Sequence, residues 1–196
     1  MSTSVQRPAT TGRTPAAEQI LTTAAELFFA HGIRAVGVDT IAAESGVTKM
    51  TLYKHFGSKD GLVAAYLRTR DDEWHERWGA AVEAHRDPVA RLLAAFDAYE
   101  GSLTRDNFRG CPFINAAAEL PDLDHPGREV VAAHKSAISD RLAVLAEQAG
   151  VNDPGNIAEQ LLLLLDGGFV TASIQQSTAP MRAAREMARC LVDSLA

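Results

Sequence analysis

Apolar residues recur along this chain at three- and four-residue intervals rather than in alternation, so the pattern predicts helix after helix and no convincing strand. Ile20, Ala24, Leu27 and Phe28 form the first stripe, opened by Pro15 at a first-turn position and closed at His31-Gly32. Val38, Ile41 and Ala42 share one face of a short second segment. Leu52 and Phe56 give a third short segment its inward side. Ser58 then caps a long helix carrying Leu62, Tyr66, Trp74, Trp78 and Val82 as far as Arg86-Asp87-Pro88. Leu92, Leu93, Phe96 and Tyr99 mark the next buried face. Gly110-Cys111-Pro112-Phe113 opens a shorter helix that stops near Leu120-Pro121, and Pro126-Gly127 precedes one with Val130, Val131, His134, Ile138, Leu142 and Leu145, closed by Gly150. Asp153-Pro154, like Asp87-Pro88 before it, is a cap followed by proline at the first helical position and opens a helix over residues 155 to about 178. Pro180 starts the last, with Met181, Ala184, Met187, Leu191 and Leu195. The expected fold is all-α with about nine helices.

The first residues have no apolar period, so residues 1–14 are expected to form a disordered arm in which Arg7 and Arg13 could order on an anionic partner. Residues 36 to 62 carry the most specific signal. Two short helices flank Gly46, whose backbone freedom permits a tight turn, and Val47 fills the angle between them. That is a helix-turn-helix, the geometry that sets one helix into the major groove of DNA. With Leu52 and Phe56 inward, Thr48, Lys49, Met50, Thr51, Tyr53, Lys54 and His55 remain outside, beside Lys59. Such a set is rich in donors for phosphates and base edges.

The run Gly46-Val47-Thr48-Lys49, Thr51-Leu52-Tyr53, His55-Phe56, Ser58-Lys59-Asp60 and Leu62 resembles the TetR family of transcriptional regulators in order and spacing, over roughly residues 15 to 65. The resemblance implies a three-helix DNA-binding domain over residues 15–60 and a helical effector-binding and dimerisation domain over residues 61–196. It implies phosphate contacts from Tyr53, His55 and Lys59 with Thr51 close to the backbone, base reading by Thr48, Lys49 and Met50, and either role for Lys54. It also implies a homodimer in which the last two helices of each subunit form a four-helix bundle. Two positions depart from the family: Gly37 stands where a Ser or Thr cap is usual, and Met50 where Gly is common. Glycine still serves as a helix cap, so the helix survives while a hydroxyl contact is lost.

Charge supports a local rather than a general affinity for nucleic acid. The chain has a net charge of −6, but residues 1–60 carry six Lys and Arg against five Asp and Glu, while the remainder carries 13 against 20. Acidity belongs to the C-terminal part, and the N-terminal part can meet phosphate. Cys111 and Cys190 form no paired motif, which suits reduced thiols in a cytoplasmic protein. The longest apolar run, Leu161 to Leu165, is too short to cross a bilayer and precedes Asp166, so no membrane role is expected.

In the C-terminal part, Trp74, Trp78, Phe96, Tyr99, Phe108, Phe113 and Phe169 concentrate aromatic surface, and Asn115, Glu119, His134 and Asp166 lie near apolar helix faces. A packed core with a buried hydrogen-bond network accounts for any one of them. Together they predict a small-molecule pocket walled by Phe96, Phe113 and Phe169, with Glu119 and His134 among its anchors and Glu119 as a counter-charge for a cationic ligand. The four polar residues could instead ligate a divalent ion, although Asn115 and Glu119 alone share a helix face. No cofactor or metal is required. Cys111, at a helix start where thiol pKa falls, offers a rival reading as a thiol sensor or, with His125 or His134, an enzyme. Asp166-Gly167-Gly168 puts two glycines inside a helix at a cost of roughly 1 kcal/mol each, a cost that close helix approach would offset. The function expected from all this is a ligand-responsive, dimeric DNA-binding regulator and not an enzyme, with double-stranded operator DNA and a small-molecule effector as partners. By the resemblance, it would be a repressor released from a pseudo-palindromic operator.

Overall fold

The computed structural model describes residues 12–103 and 109–194, and these are helical with no strand. Nine helices follow one another among the described residues: α1 Pro15–His31, α2 Val38–Ser45, α3 Lys49–Phe56, α4 Lys59–Glu83, α5 Pro88–Leu103, α6 Pro112–Glu119, α7 Pro126–Gln148, α8 Pro154–Gln175 and α9 Ala179–Asp193. The arm expected over residues 1–14 lies mostly outside the described residues, as does Phe108.

Local chemistry sets the helix ends. Thr14, Thr48, Ser58 and Asp153 each accept a backbone N–H in the first turn of the helix they precede. An Asp87 carboxylate oxygen accepts from Ala90 N at 2.7 Å at the start of α5. His125 caps α7 through Nδ1, which accepts from Gly127 N at 2.9 Å. Gly37 precedes α2 with no side-chain cap, and Gly46 turns the chain with φ at 67°, a left-handed conformation that glycine adopts without steric penalty. Helix α8 ends three residues before the expected boundary because Gln176 enters the left-handed region with φ at 50°.

α1, α2 and α3 pack on one another and on the start of α4. Ile20, Phe28, Ile41, Leu52 and Leu62 are buried where they meet. α4 runs on from this unit into the C-terminal helices, where it packs against α5 and α7, and α8 lies between α7 and α9. α4 thus belongs to both parts. α8 is long and apolar enough to cross a membrane by composition, but its Ile157, Leu161, Leu165 and Phe169 are buried in the bundle and its Asp166 pairs with Lys135 of α7.

The two adjacent glycines of α8 have different surroundings. A Cβ on Gly168 would stand 2.8 Å from Ala184 Cβ, so its bare backbone permits the close crossing of α8 and α9 within one subunit. A Cβ on Gly167 would meet nothing. Gly167 lies on the outer face with Leu163 and Ile174, both more than 70% exposed, while Met187 of α9 is 60% exposed.

Candidate DNA-binding face and effector cavity

α3 is an eight-residue helix held by Leu52, which is fully buried, and by Phe56, half-buried on the same side. Its other positions point outward: Met50 and Tyr53 are exposed at 78% and 44%, and Lys54 and His55 are exposed as well. Thr48 Oγ1 accepts from Thr51 N at 3.2 Å and lies 2.9 Å from Thr51 Oγ1, so these two hydroxyls fix the start of the helix. Lys49 pairs with Asp39 of α2, both largely solvated. His55 Nε2 lies 3.3 Å from Thr14 Oγ1, which ties α3 to the first turn of α1. Lys59 opens α4 half-buried. Burial lowers its pKa, and Asp60 and Glu119 oppose the shift. The eight residues expected at DNA therefore sit along α3, its cap and the first position of α4. Thr48 and Thr51 hold each other in place, while Lys49 and His55 are held by Asp39 and Thr14 outside the set.

A half-open cavity of about 160 Å³ lies between α4, α5, α6, α7 and α8, with Phe29 from α1 in its wall. Trp74, Tyr99, Phe113, His134 and Phe169 line it, five of the residues expected from sequence. Tyr99 meets Trp74 at 4.0 Å and Phe169 at 4.6 Å between ring centroids, so the aromatic wall is continuous. Arg70, Glu73 and Arg77 of α4 supply the charged part of the lining. Arg70 pairs with Glu73 at 3.2 Å and lies over the Tyr66 ring.

Five expected ligand residues lie elsewhere. Trp78 and Phe96 are fully buried and outside the lining; Trp78 is covered by the Arg141 guanidinium at 4.4 Å. Asp166 is tied to Lys135. Asn115 and Glu119 face a second depression of about 240 Å³ between α1, α4 and α6. There Asn115 Nδ2 donates to Arg109 O at 2.9 Å, and Glu119 Oε2 accepts from Arg34 N at 2.8 Å. Glu119 therefore does not belong to the cavity of Phe113 and Phe169, because its i,i+4 pair with Asn115 on α6 turns toward α1 instead of inward, and Phe96 of α5 is packed in the core with no exposed surface. The four residues weighed as an ion site do not converge either.

His134 has a partner that sequence reading passes over. Its Nδ1 lies 2.8 Å from Asp71 Oδ1, and its ring stacks on Phe113 at 3.5 Å and 9°. His75, one turn beyond Asp71 on α4, brings Nε2 to 3.1 Å from the same oxygen. Burial alone would raise the Asp71 pKa, but hydrogen bonding to His134 and the closeness of His75 outweigh it and hold the carboxyl well below its usual range. Burial lowers the His134 pKa, with Asp71 opposing. Cys111 lines the cavity as a buried residue, and burial raises its thiol pKa, with Lys135 opposing. The effect expected from a helix start is thus overridden.

Three side chains join the cavity-bearing part to the DNA-binding helices. Glu119 holds Arg34 N in the α1–α2 connection, and Arg109 Nη1 donates to Phe29 O at 3.1 Å and to Ala30 O at the end of α1. His125 Nε2 lies 3.2 Å from Asp60 Oδ1 in the first turn of α4.

An N-terminal helix-turn-helix carried on a long shared helix, with a helical bundle behind it, defines the class of DNA-binding transcriptional regulators. Residues 20–66 match the model of bacterial regulatory proteins of the tetR family, and residues 88–188 match the tetracyclin repressor-like C-terminal domain. The chain belongs to the TetR family of DNA-binding transcriptional regulators, not to an enzyme family. A crystal structure of a TetR-family transcriptional regulator from Streptomyces coelicolor superposes with a TM-score of 0.87 at 31% identity, covering 93% of this chain and 90% of that one. The transcriptional regulator YjdC of Escherichia coli is 25% identical over 174 residues, 87% of this chain and 90% of the relative. Shorter matches include the transcriptional activator FasR of Mycolicibacterium smegmatis, 36% identical over 45% of this chain and 41% of the relative. Another is the transcriptional repressor KstR2 of Mycobacterium tuberculosis, 35% identical over 42% of this chain and 43% of the relative.

Proposed function

We propose that this regulator binds a pseudo-palindromic operator as a homodimer and acts as a repressor released by a small organic effector. The observation that carries the DNA part is the outer face of α3. Met50, Tyr53, Lys54 and His55 are exposed on a helix whose opposite side is fixed by buried Leu52. Tyr53, His55, Lys59 and Thr51 are assigned to phosphate, Thr48, Lys49 and Met50 to base edges, and Lys54 to either. Lys49 would exchange its solvated partner Asp39 for a base or phosphate at little cost, because exposed ion pairs are worth about 0–1 kcal/mol.

The effector reading rests on the cavity lined by Trp74, Tyr99, Phe113, His134 and Phe169. It suits a molecule with an apolar or aromatic body and one polar group directed at Arg70 and Glu73. Phe29 of α1 is part of the wall, so a ligand that displaces it presses directly on the DNA-binding helices. A ligand shifts the population only as far as it binds the released conformation better. The dimer reading rests on Leu163, Gly167 and Ile174 of α8 and Met187 of α9, an apolar stripe left open at helical spacing. A salt-dependent gel shift with a duplex selected from a random pool tests the reading. Saturable binding to a two-half-site sequence is expected, and binding without sequence preference would refute it.

A further inference from the structure

Asp71 and His75 stand one turn apart on α4, and His134 enters from α7, so two helices bring three metal-binding side chains to one point. The donor atoms all lie within 4.8 Å of one another, with Asp71 Oδ1 at 2.8 Å from His134 Nδ1 and 3.1 Å from His75 Nε2. Donors held at about 2.0–2.2 Å from one ion stand roughly 3 Å apart, so two edges of a coordination polyhedron are already formed. His75 Nε2 is buried and, despite its short approach to Asp71, has no aligned hydrogen-bond partner. His134 is 1% exposed and its ring is stacked on Phe113, so its position is fixed by packing.

We propose that Asp71, His75 and His134 bind a divalent transition-metal ion of the zinc, cobalt or nickel type. Two imidazoles and one carboxylate suit these ions, whereas magnesium and calcium prefer shells of oxygen alone. The bound ion joins α4 to α7, and because His134 also forms the cavity wall against Phe113, it fixes that side of the cavity. This site is independent of the effector reading and is measured without DNA.

The test uses the full chain freed of metal by a chelator, then titrated with zinc chloride by calorimetry and with cobalt chloride by visible absorption. One ion per chain is expected, with a rise in melting temperature. His75→Gln and Asp71→Asn should each weaken zinc binding at least about tenfold, as expected for loss of a direct ligand. They should also alter the cobalt spectrum. His85→Gln and Cys190→Ser, at exposed positions away from the cluster, should change neither. Circular dichroism establishes that each variant is folded, and two separate ligand variants keep the test valid if one is not. The proposal is overturned if the parent binds neither ion at micromolar concentration, or if binding survives unchanged in both His75→Gln and Asp71→Asn.

Discussion

Single residues separate the regulator from its thiol-based rival. Cys111 is buried with a raised pKa, whereas Cys190 is exposed. Under native conditions a thiol reagent should modify Cys190 quickly and Cys111 slowly, and the Cys111 rate should climb only above the usual thiol range, because the thiolate is the nucleophile. Fast labelling of Cys111 at neutral pH would revive the sensor reading. At the DNA face, Lys59→Ala should weaken binding to all operator variants alike and lower the slope of log affinity against log salt by about one. An unchanged slope would remove Lys59 from the interface. Lys49→Ala should instead alter the selected consensus, since a correct base contact is worth roughly 1–3 kcal/mol of discrimination. The outward positions of α3 were legible because a short helix with two inward apolar positions leaves few alternatives for the rest. Asp71 and His75 were not, because they sit in the charged run from Arg68 to Arg77, which reads as a solvated face until α7 is packed against it. Glu119 and Asn115 share a face, as their spacing requires, but spacing does not tell which neighbour that face meets.

At the scale of the helices, caps and prolines give away most boundaries: Ser58, Asp87-Pro88, Pro126 and Asp153-Pro154 each mark a helix start found in the structure. What periodicity could not assign was the use of the two α8 glycines, since that depends on which helix crosses which face. Gly168→Ala should destabilise the protein by about 1–3 kcal/mol through its contact with Ala184. Gly167→Ala meets open space and should not destabilise the subunit; removing a helical glycine is worth roughly 1 kcal/mol in its favour. Equal thermal shifts in the two variants would show that α8 and α9 do not cross as described. α6 is the second informative element, because Glu119 couples it to the α1–α2 connection. Glu119→Gln should leave DNA binding close to parental and reduce the ability of the effector to release it. An unaltered effector response would place the coupling elsewhere, at Phe29 or along α4.

For the whole molecule, two separate recognition helices are useful only if something spaces them, and the open stripe on α8 and α9 is where a second subunit would do so. A charge there, as in Met187→Glu, should yield monomers by sedimentation and lose operator affinity in the same variant. Dimers that persist would move the interface to another face. The central claim is that α3 reads DNA in a paired arrangement. The most direct measurement is fluorescence anisotropy of a duplex obtained by selection from a random pool, titrated with the parent chain and with a Lys49→Ala, Lys54→Ala double variant. Two chains per duplex are expected, with steep salt dependence, a two-fold related consensus, and loss of at least about tenfold in affinity in the double variant, which removes two cationic contacts. Binding by the double variant equal to that of the parent, or a parent that prefers no sequence over random duplex, would contradict the account.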